Sequence, residues 1–352
     1  MSEKWIDLTP DSEVIALSDV ATSVSKSSTN AQVPSAKCLY DLLGGVESSL
    51  ETINGSSPEP TSYWGLHFVA EEADVEIGMA NVGSPDSVTL EYSVDGGATW
   101  PAFTPGTTTV TLENIGDEAW FRAGSAGNTK ISKSNNDYRK FTISKKCSCH
   151  GNIMSLLDGT DDETATAATM GNFCFRRLFN ESKITTAPDL PALTLSINCY
   201  DNIFRDCTEL TTPMDELPAS SIPNYAYQSM FYGCTALTDT PTINATRVDG
   251  MYACSHMFHS CSNIRSVKML CSLYDGNYAF NEMFRDCSKL ESVETHVTIW
   301  NYTSGAFNVW LDGVSSSGTF YCPSALGTPP DGANPIARGS SRCPTGWTVV
   351  NI

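Results

Sequence analysis

Cys199-Tyr200-Asp201-Asn202-Ile203-Phe204-Arg205-Asp206-Cys207-Thr208-Glu209-Leu210 decides the fold, because most of its pattern returns as Tyr227-Gln228-Ser229-Met230-Phe231-Tyr232-Gly233-Cys234-Thr235-Ala236-Leu237. Aligning Phe179, Phe204, Phe231, Phe258, Phe284 and Trp310 gives intervals of 25, 27, 27, 26 and 26 residues. Four residues before these stand Phe175, Tyr200, Tyr227, Cys254, Phe280 and Ala306. Three after stand Ser182, Cys207, Cys234, Cys261, Cys287 and Gly313. Leu210, Leu237, Ile264 and Leu290 follow the central four phenylalanines by six. A period of this length marks a solenoid, whose units bury their apolar faces only against neighbours.

Spacings of 4 and 3 within each unit predict a short helix with the aromatic, the Phe and the Cys on one face. The Leu or Ile that follows then opens an extended segment. Leu190-Pro191-Ala192, Leu217-Pro218-Ala219 and, in weaker form, Ile243-Asn244-Ala245 mark the turn into the next helix. Past Trp310 the repeat fades towards Gly346-Trp347-Thr348-Val349-Val350, a C-terminal cap with a final strand.

Residues 61–146 read differently. Val88-Thr89-Leu90-Glu91-Tyr92-Ser93-Val94 and Thr107-Thr108-Thr109-Val110-Thr111-Leu112 alternate, with turn signals at Asp95-Gly96-Gly97 and Ile115-Gly116-Asp117. Short strands with closely spaced turns predict a β-sandwich. Upstream, Asn54-Gly55-Ser56-Ser57-Pro58-Glu59-Pro60 is a linker by composition. Before it, Leu39, Leu43, Val46, Leu50 and Ile53 fall at spacings of 4, 3, 4 and 3, an apolar seam interrupted by Gly44-Gly45. Two readings stay open for this seam: an amphipathic helix on its own domain, or a short oligomerising coiled coil. Two heptads need help from other interfaces.

The expected architecture is therefore multidomain and mainly β with a β/α solenoid. Residues 1–60 form an N-terminal region of strands and a short coiled-coil helix, 61–150 a β-sandwich, and 151–352 the repeat domain with its cap. Hydrophobic residues make up 41% of the chain and charged ones 17%, which suits a folded protein. The net charge of −19 repels phosphate backbones and anionic membranes, so neither nucleic acid nor membrane insertion is expected. No secretory signal and no membrane-spanning run is apparent in the sequence.

Phe179, Phe204, Cys207, Phe231, Cys234, Phe258, Cys261, Phe284 and Cys287 are assigned to the repeat core. Stacking places one such cysteine per unit in a row, so packing as small buried hydrophobes is favoured over disulfides or a metal site. Cys147-Ser148-Cys149-His150 offers three soft ligands but no second cluster at metal-site spacing, and a hinge between sandwich and solenoid is the favoured reading. Ser93-Val94-Asp95-Gly96-Gly97-Ala98-Thr99-Trp100 fits the Asp-box pattern, a folding device whose Asp and Gly build a turn above the tryptophan. His256 and His259 flank Phe258 without an HExxH context and are assigned to the solvent face of a repeat helix. No nucleophile elbow, phosphate-binding loop or dinucleotide fingerprint occurs, so no catalytic residue, metal or cofactor is assigned. A carboxylate pair for polysaccharide depolymerisation has no sequence signature and stays open.

Two resemblances carry the functional expectation. The units at 199–210 and 227–237, with the Leu-Pro-Ala turns, resemble BspA-type leucine-rich repeats similar to those of gut Bacteroidetes and their phages. Leu90–Gly97, Gly151-Asn152-Ile153-Met154-Ser155-Leu156-Leu157 and Gly346–Val349 resemble the flanking modules of such repeats. Val20-Ala21-Thr22-Ser23-Val24-Ser25-Lys26-Ser27-Ser28-Thr29-Asn30-Ala31-Gln32-Val33-Pro34-Ser35-Ala36-Lys37 is similar to segments that lead into a helix in phage tail and head fibres. Together they imply a virion fibre: a homotrimer attached to other virion proteins through its N-terminus, binding a bacterial surface glycan or protein through its repeats, with receptor-binding residues unassigned. They imply assembly in the host cytoplasm as well. A bacterial cell-surface adhesin is the alternative.

Overall fold

The computed structural model describes residues 65–159, 170–298, 305–324 and 343–352. Residues 63–352 form one compact unit. The seam Leu39, Leu43, Val46, Leu50 and Ile53 and the fibre-like segment before it lie outside the described residues.

The first part is the expected sandwich. Its strands are β1 (His67–Ala70), β2 (Val75–Val82), β3 (Leu90–Ser93), β4 (Ala102–Phe103), β5 (Thr109–Leu112), β6 (Glu118–Ala123), β7 (Tyr138–Ile143) and β8 (Cys147–His150). They form two antiparallel sheets, in the orders β4-β3-β6-β1-β8 and β5-β2-β7. Alternation drives the layering: Ala119, Phe121 and Ala123 of β6 are buried while the residues between them are not. Phe68 of one sheet meets Phe141 of the other edge to face at 5.0 Å, and Phe121 meets both at 5.5 and 5.4 Å. Ser155–Asp158 forms α1, the sole α-helix among the described residues.

The repeats build a solenoid of about four turns whose coils contain no helix. The coils have a ribbon of turns, and the three at 216–222, 242–248 and 266–274 each carry two short strand segments. One parallel ladder runs through β9 (Glu216–Leu217), β11 (Thr242–Ile243), β13 (Ser266–Met269), β15 (Ser292–Thr295), β16 (Gly318–Cys322) and β17 (Trp347–Asn351). A second parallel ladder runs through β10 (Ser221–Ile222), β12 (Arg247–Val248) and β14 (Leu273–Tyr274). Pro218-Ala219 and Asn244-Ala245 are therefore corners between two strands, where Ala219 and Ala245 are fully buried. The final strand is present as β17, paired with β16.

The predicted repeat helix is replaced by a ribbon of overlapping turns. In the coil at 198–207, the amides of Cys199, Asp201, Ile203, Arg205 and Cys207 each bond the carbonyl three residues back. The amides between them, from Asn198, Tyr200, Asn202, Phe204 and Asp206, bond carbonyls of the next coil from Asn224 to Tyr232. Every backbone donor of the ribbon thus has a partner, half of them only in a neighbouring coil. One residue in four carries a positive φ, here Asn198 (56°), Asn202 (57°) and Asp206 (59°). Other coils place Ser229, Gly233, Ser260, Asp286, Gly305 and Gly313 at such positions. Asn, Asp and Gly tolerate this region best. Phe173, Arg177 and Tyr252 adopt it as well, which the cross-coil bonding must over-determine.

A four-residue turn period explains why the sequence imitates a helix. Cys199 with Tyr200, then Ile203 with Phe204, then Cys207 all point inward and are fully buried. Stacking repeats this inward face along the axis. Phe179, Phe204, Phe231, Phe258 and Phe284 form a near-parallel column with ring centroids 5.3–5.6 Å apart. Burying each contributes about 1.5–3 kcal/mol. The last coil is shifted by one residue against the sequence alignment. The amide of Phe284 bonds the carbonyl of Trp310, where Phe179, Phe204, Phe231 and Phe258 each bond the residue before the next phenylalanine. Leu311 therefore takes the Phe position, and Phe307, rather than Ala306, stacks on Phe280 at 5.0 Å.

Cys147–His150 is a strand, not a hinge. β8 pairs with β1 on one side and meets the first coil on the other, in a parallel bridge from Cys147 to Ile184. The amide of Phe141 in β7 bonds the carbonyl of Leu178, and the Phe141 ring stacks on Phe179 at 5.5 Å. The sandwich closes the first end of the solenoid, and a single apolar core runs from Leu66 to Trp347.

Candidate functional site

The regular cysteines are sealed. All twelve described cysteines are buried, and those of the repeats, Cys207, Cys234, Cys261 and Cys287, form no disulfide. The thiols of Cys207, Cys234, Cys261 and Cys287 donate to the carbonyls of Phe179, Phe204, Phe231 and Phe258 at 2.9, 3.1, 2.9 and 2.9 Å. Each of these carbonyls also accepts a turn amide of its own coil. Burial pushes the Cys207 thiol up to about 12 and the Cys234 and Cys287 thiols well above their ordinary range. None is a nucleophile or thiolate ligand at neutral pH. They pack as expected and also donate hydrogen bonds, which the sequence reading did not include.

Strand alternation divides Cys147-Ser148-Cys149-His150. Cys147 and Cys149 share one face of β8 and are fully buried, while His150 lies on the other, near His67. Burial raises Cys147 to about 12 and holds Cys149 well above its ordinary range. The two thiols and the imidazole do not converge on one point. The Asp-box holds its hairpin turn as its pattern requires. Asp95 accepts from Ser93 Oγ at 2.6 Å, Thr99 N at 2.9 Å and Thr99 Oγ1 at 2.6 Å, and Trp100 Nε1 donates to Gly97 O at 2.9 Å.

The surface with binding character is the turn ribbon. Its groove, of about 410 Å³, is lined by Arg176, Arg177, Asp201, Asn202, Arg205 and Tyr225 among others. Arg176 and Asp201 form a buried ion pair between adjacent coils, with Asn202 donating to the same carboxylate. Burial raises the Asp201 carboxyl and lowers the Arg176 guanidinium, each opposed by the other's charge. Arg176 Nε and Arg177 Nε are buried without a hydrogen-bond partner. The Arg177 guanidinium lies over Tyr138 at 5.1 Å and that of Arg205 over Tyr232 at 4.2 Å. Three guanidiniums and one carboxylate line the groove, and Asp206 pairs with Arg205 at 3.2 Å beside it.

Beside the groove, Tyr225, Tyr252 and Tyr278 stack across three coils at 5.5 and 5.0 Å. Tyr278 is 41% exposed, and Met251 next to the column is 39% exposed. The sequence reading missed this column and the arginines because neither belongs to the buried motif. The signal was a second aromatic at equivalent places, two residues before Tyr227 and Cys254 and again before Phe280. Comparison of the chain with protein-family models, with curated proteins and with solved structures gives no match.

Proposed function

We propose that the chain is a bacteriophage virion fibre whose repeat domain binds a bacterial surface through its turn-ribbon face. The observation that carries this reading is the juxtaposition of the arginine-lined groove with the half-exposed tyrosine column Tyr225–Tyr252–Tyr278. Tyrosine ring edges and hydroxyls suit the hydroxyls of sugar rings, and guanidiniums suit carboxylate or phosphate groups. An acidic surface glycan combines both. The BspA-like repeat pattern and the fibre-like segment at 20–37 support the assignment to a virion. In this reading residues 1–60 attach the chain to other virion proteins and trimerise it. Three weak faces then act together through effective concentration.

The test is adsorption. The full chain should bind host cells and compete with phage for them. The combined variant Tyr225→Ala, Tyr252→Ala, Tyr278→Ala should lose about tenfold or more of that binding while keeping its unfolding temperature within a few degrees. Undiminished binding by a folded variant removes this face as the receptor site. Absence of binding by the wild-type chain removes the attachment role.

A further inference from the structure

We propose that His256, His259 and Glu282 form a binding site for a borderline divalent transition metal, such as zinc, that clips two successive coils together. His256 and His259 belong to one ribbon and Glu282 to the next. One ligand atom from each lies within 4.8 Å of the others, the one such group among the described residues.

Three observations converge. The first is spacing. His256 Nε2 and His259 Nδ1 both lie 3.6 Å from Glu282 Oε2. That is too long for a hydrogen bond. It fits two ligand atoms on one zinc ion, which bonds of about 2.0–2.2 Å at near-tetrahedral angles hold about 3.3–3.6 Å apart.

The second is tautomer. Ser255 Oγ donates its only hydrogen to Asn281 O at 3.1 Å, so it accepts from His256 Nδ1 at 2.7 Å. The His256 proton is thereby placed on Nδ1, and the Nε2 lone pair faces Glu282. His259 Nε2 lies 3.5 Å from Asp286 Oδ2, on the side of the ring away from Nδ1, which lies 3.6 Å from Glu282 Oε2. A metal-bound histidine has this arrangement, with its outer nitrogen held by a carboxylate or hydroxyl.

The third is an unmet need. His259 Nδ1 is buried and has no hydrogen-bond partner. A ligand atom from each imidazole and from the carboxylate thus lies within 4.8 Å of the others, and a divalent cation among them gives His259 Nδ1 the partner it lacks. Arg285 is the competing cation: its Nη1 donates to Glu282 Oε2 at 2.8 Å. It also reaches Asp286 and Asp312 at 3.8 and 3.9 Å, which keeps it paired when Glu282 turns to a metal. Two imidazoles and a carboxylate suit zinc, cobalt or nickel and leave a coordination position for water.

The site is tested by titrating the full chain, freed of metal by chelation, with Co²⁺ and Zn²⁺. Co²⁺ should produce visible absorption bands of a low-coordinate site, and Zn²⁺ should displace it at one equivalent. His259→Gln and Glu282→Gln should each weaken binding by about 100-fold or more, beyond the 10–100-fold that an outer partner costs. Arg285→Gln should tighten it. Thermal unfolding without metal establishes that each variant is folded. No cobalt spectrum in the wild-type chain, or an unchanged spectrum in folded His259→Gln, overturns the proposal.

Discussion

The thiol of Cys234 donates to the carbonyl of Phe204 on the preceding coil at 3.1 Å, and the same relationship recurs at Cys207, Cys261 and Cys287. A residue that packs as a small hydrophobe therefore also bonds one coil to the one before it. This makes the repeat cysteine specific, since alanine fills less space and valine donates nothing.

Replacing Cys234 with alanine should cost about 1–3 kcal/mol, from the vacated volume and the lost bond. Chemical denaturation measures this. In the wild-type chain, thiol-reactive probes should label the repeat cysteines only as fast as the solenoid opens, because burial holds them protonated. Rapid labelling under native conditions would contradict the buried arrangement.

Gly233 separates the two readings of the ribbon by sign. In a helix interior Gly233→Ala should stabilise by about 1 kcal/mol. In the turn ribbon Gly233 has φ 74°, and an added Cβ meets the Asp206 carboxylate of the preceding coil. The expected outcome is a loss of about 1 kcal/mol or more, read from the urea midpoint.

Phe141 joins the sandwich to the first coil by its stack on Phe179. Because one core spans both parts, residues 63–352 should unfold in a single calorimetric transition. Phe141→Ala should lose about 3–5 kcal/mol and broaden or split that transition. Two separated transitions in the wild-type chain would restore the hinge.

Asp95 gives the hairpin a pH dependence. Hydrogen bonds from Ser93 and Thr99 hold its carboxyl at about 2, below the ordinary 3.8. A depressed folded-state value contributes stability that is fully present above 3.8 and lost as pH falls through about 2. Carbon-13 NMR of Asp95 should show a midpoint near 2, and Asp95→Asn should remove this part of the acid sensitivity. A midpoint near 3.8 would show that the bonds are not held in solution.

The sequence by itself determined that the chain repeats and which Phe and Cys face inward in every coil but the last. Periodic Phe and Cys must be buried wherever the chain turns at a fixed interval, so Phe204, Cys207, Phe231 and Cys234 were legible without coordinates. The sandwich strands were legible for the same reason, because alternation at 109–112 has one meaning. Tertiary structure decided what the period was made of. A helix satisfies its amides locally, whereas this ribbon sends every second amide to the next coil, and no spacing within one repeat reports that. It also decided the site. Arg176 meets Asp201, His259 meets Glu282, and Tyr225 meets Tyr252 only across coils. Residues about 26 apart in sequence become neighbours by stacking, and the chemistry of this surface exists only in that direction.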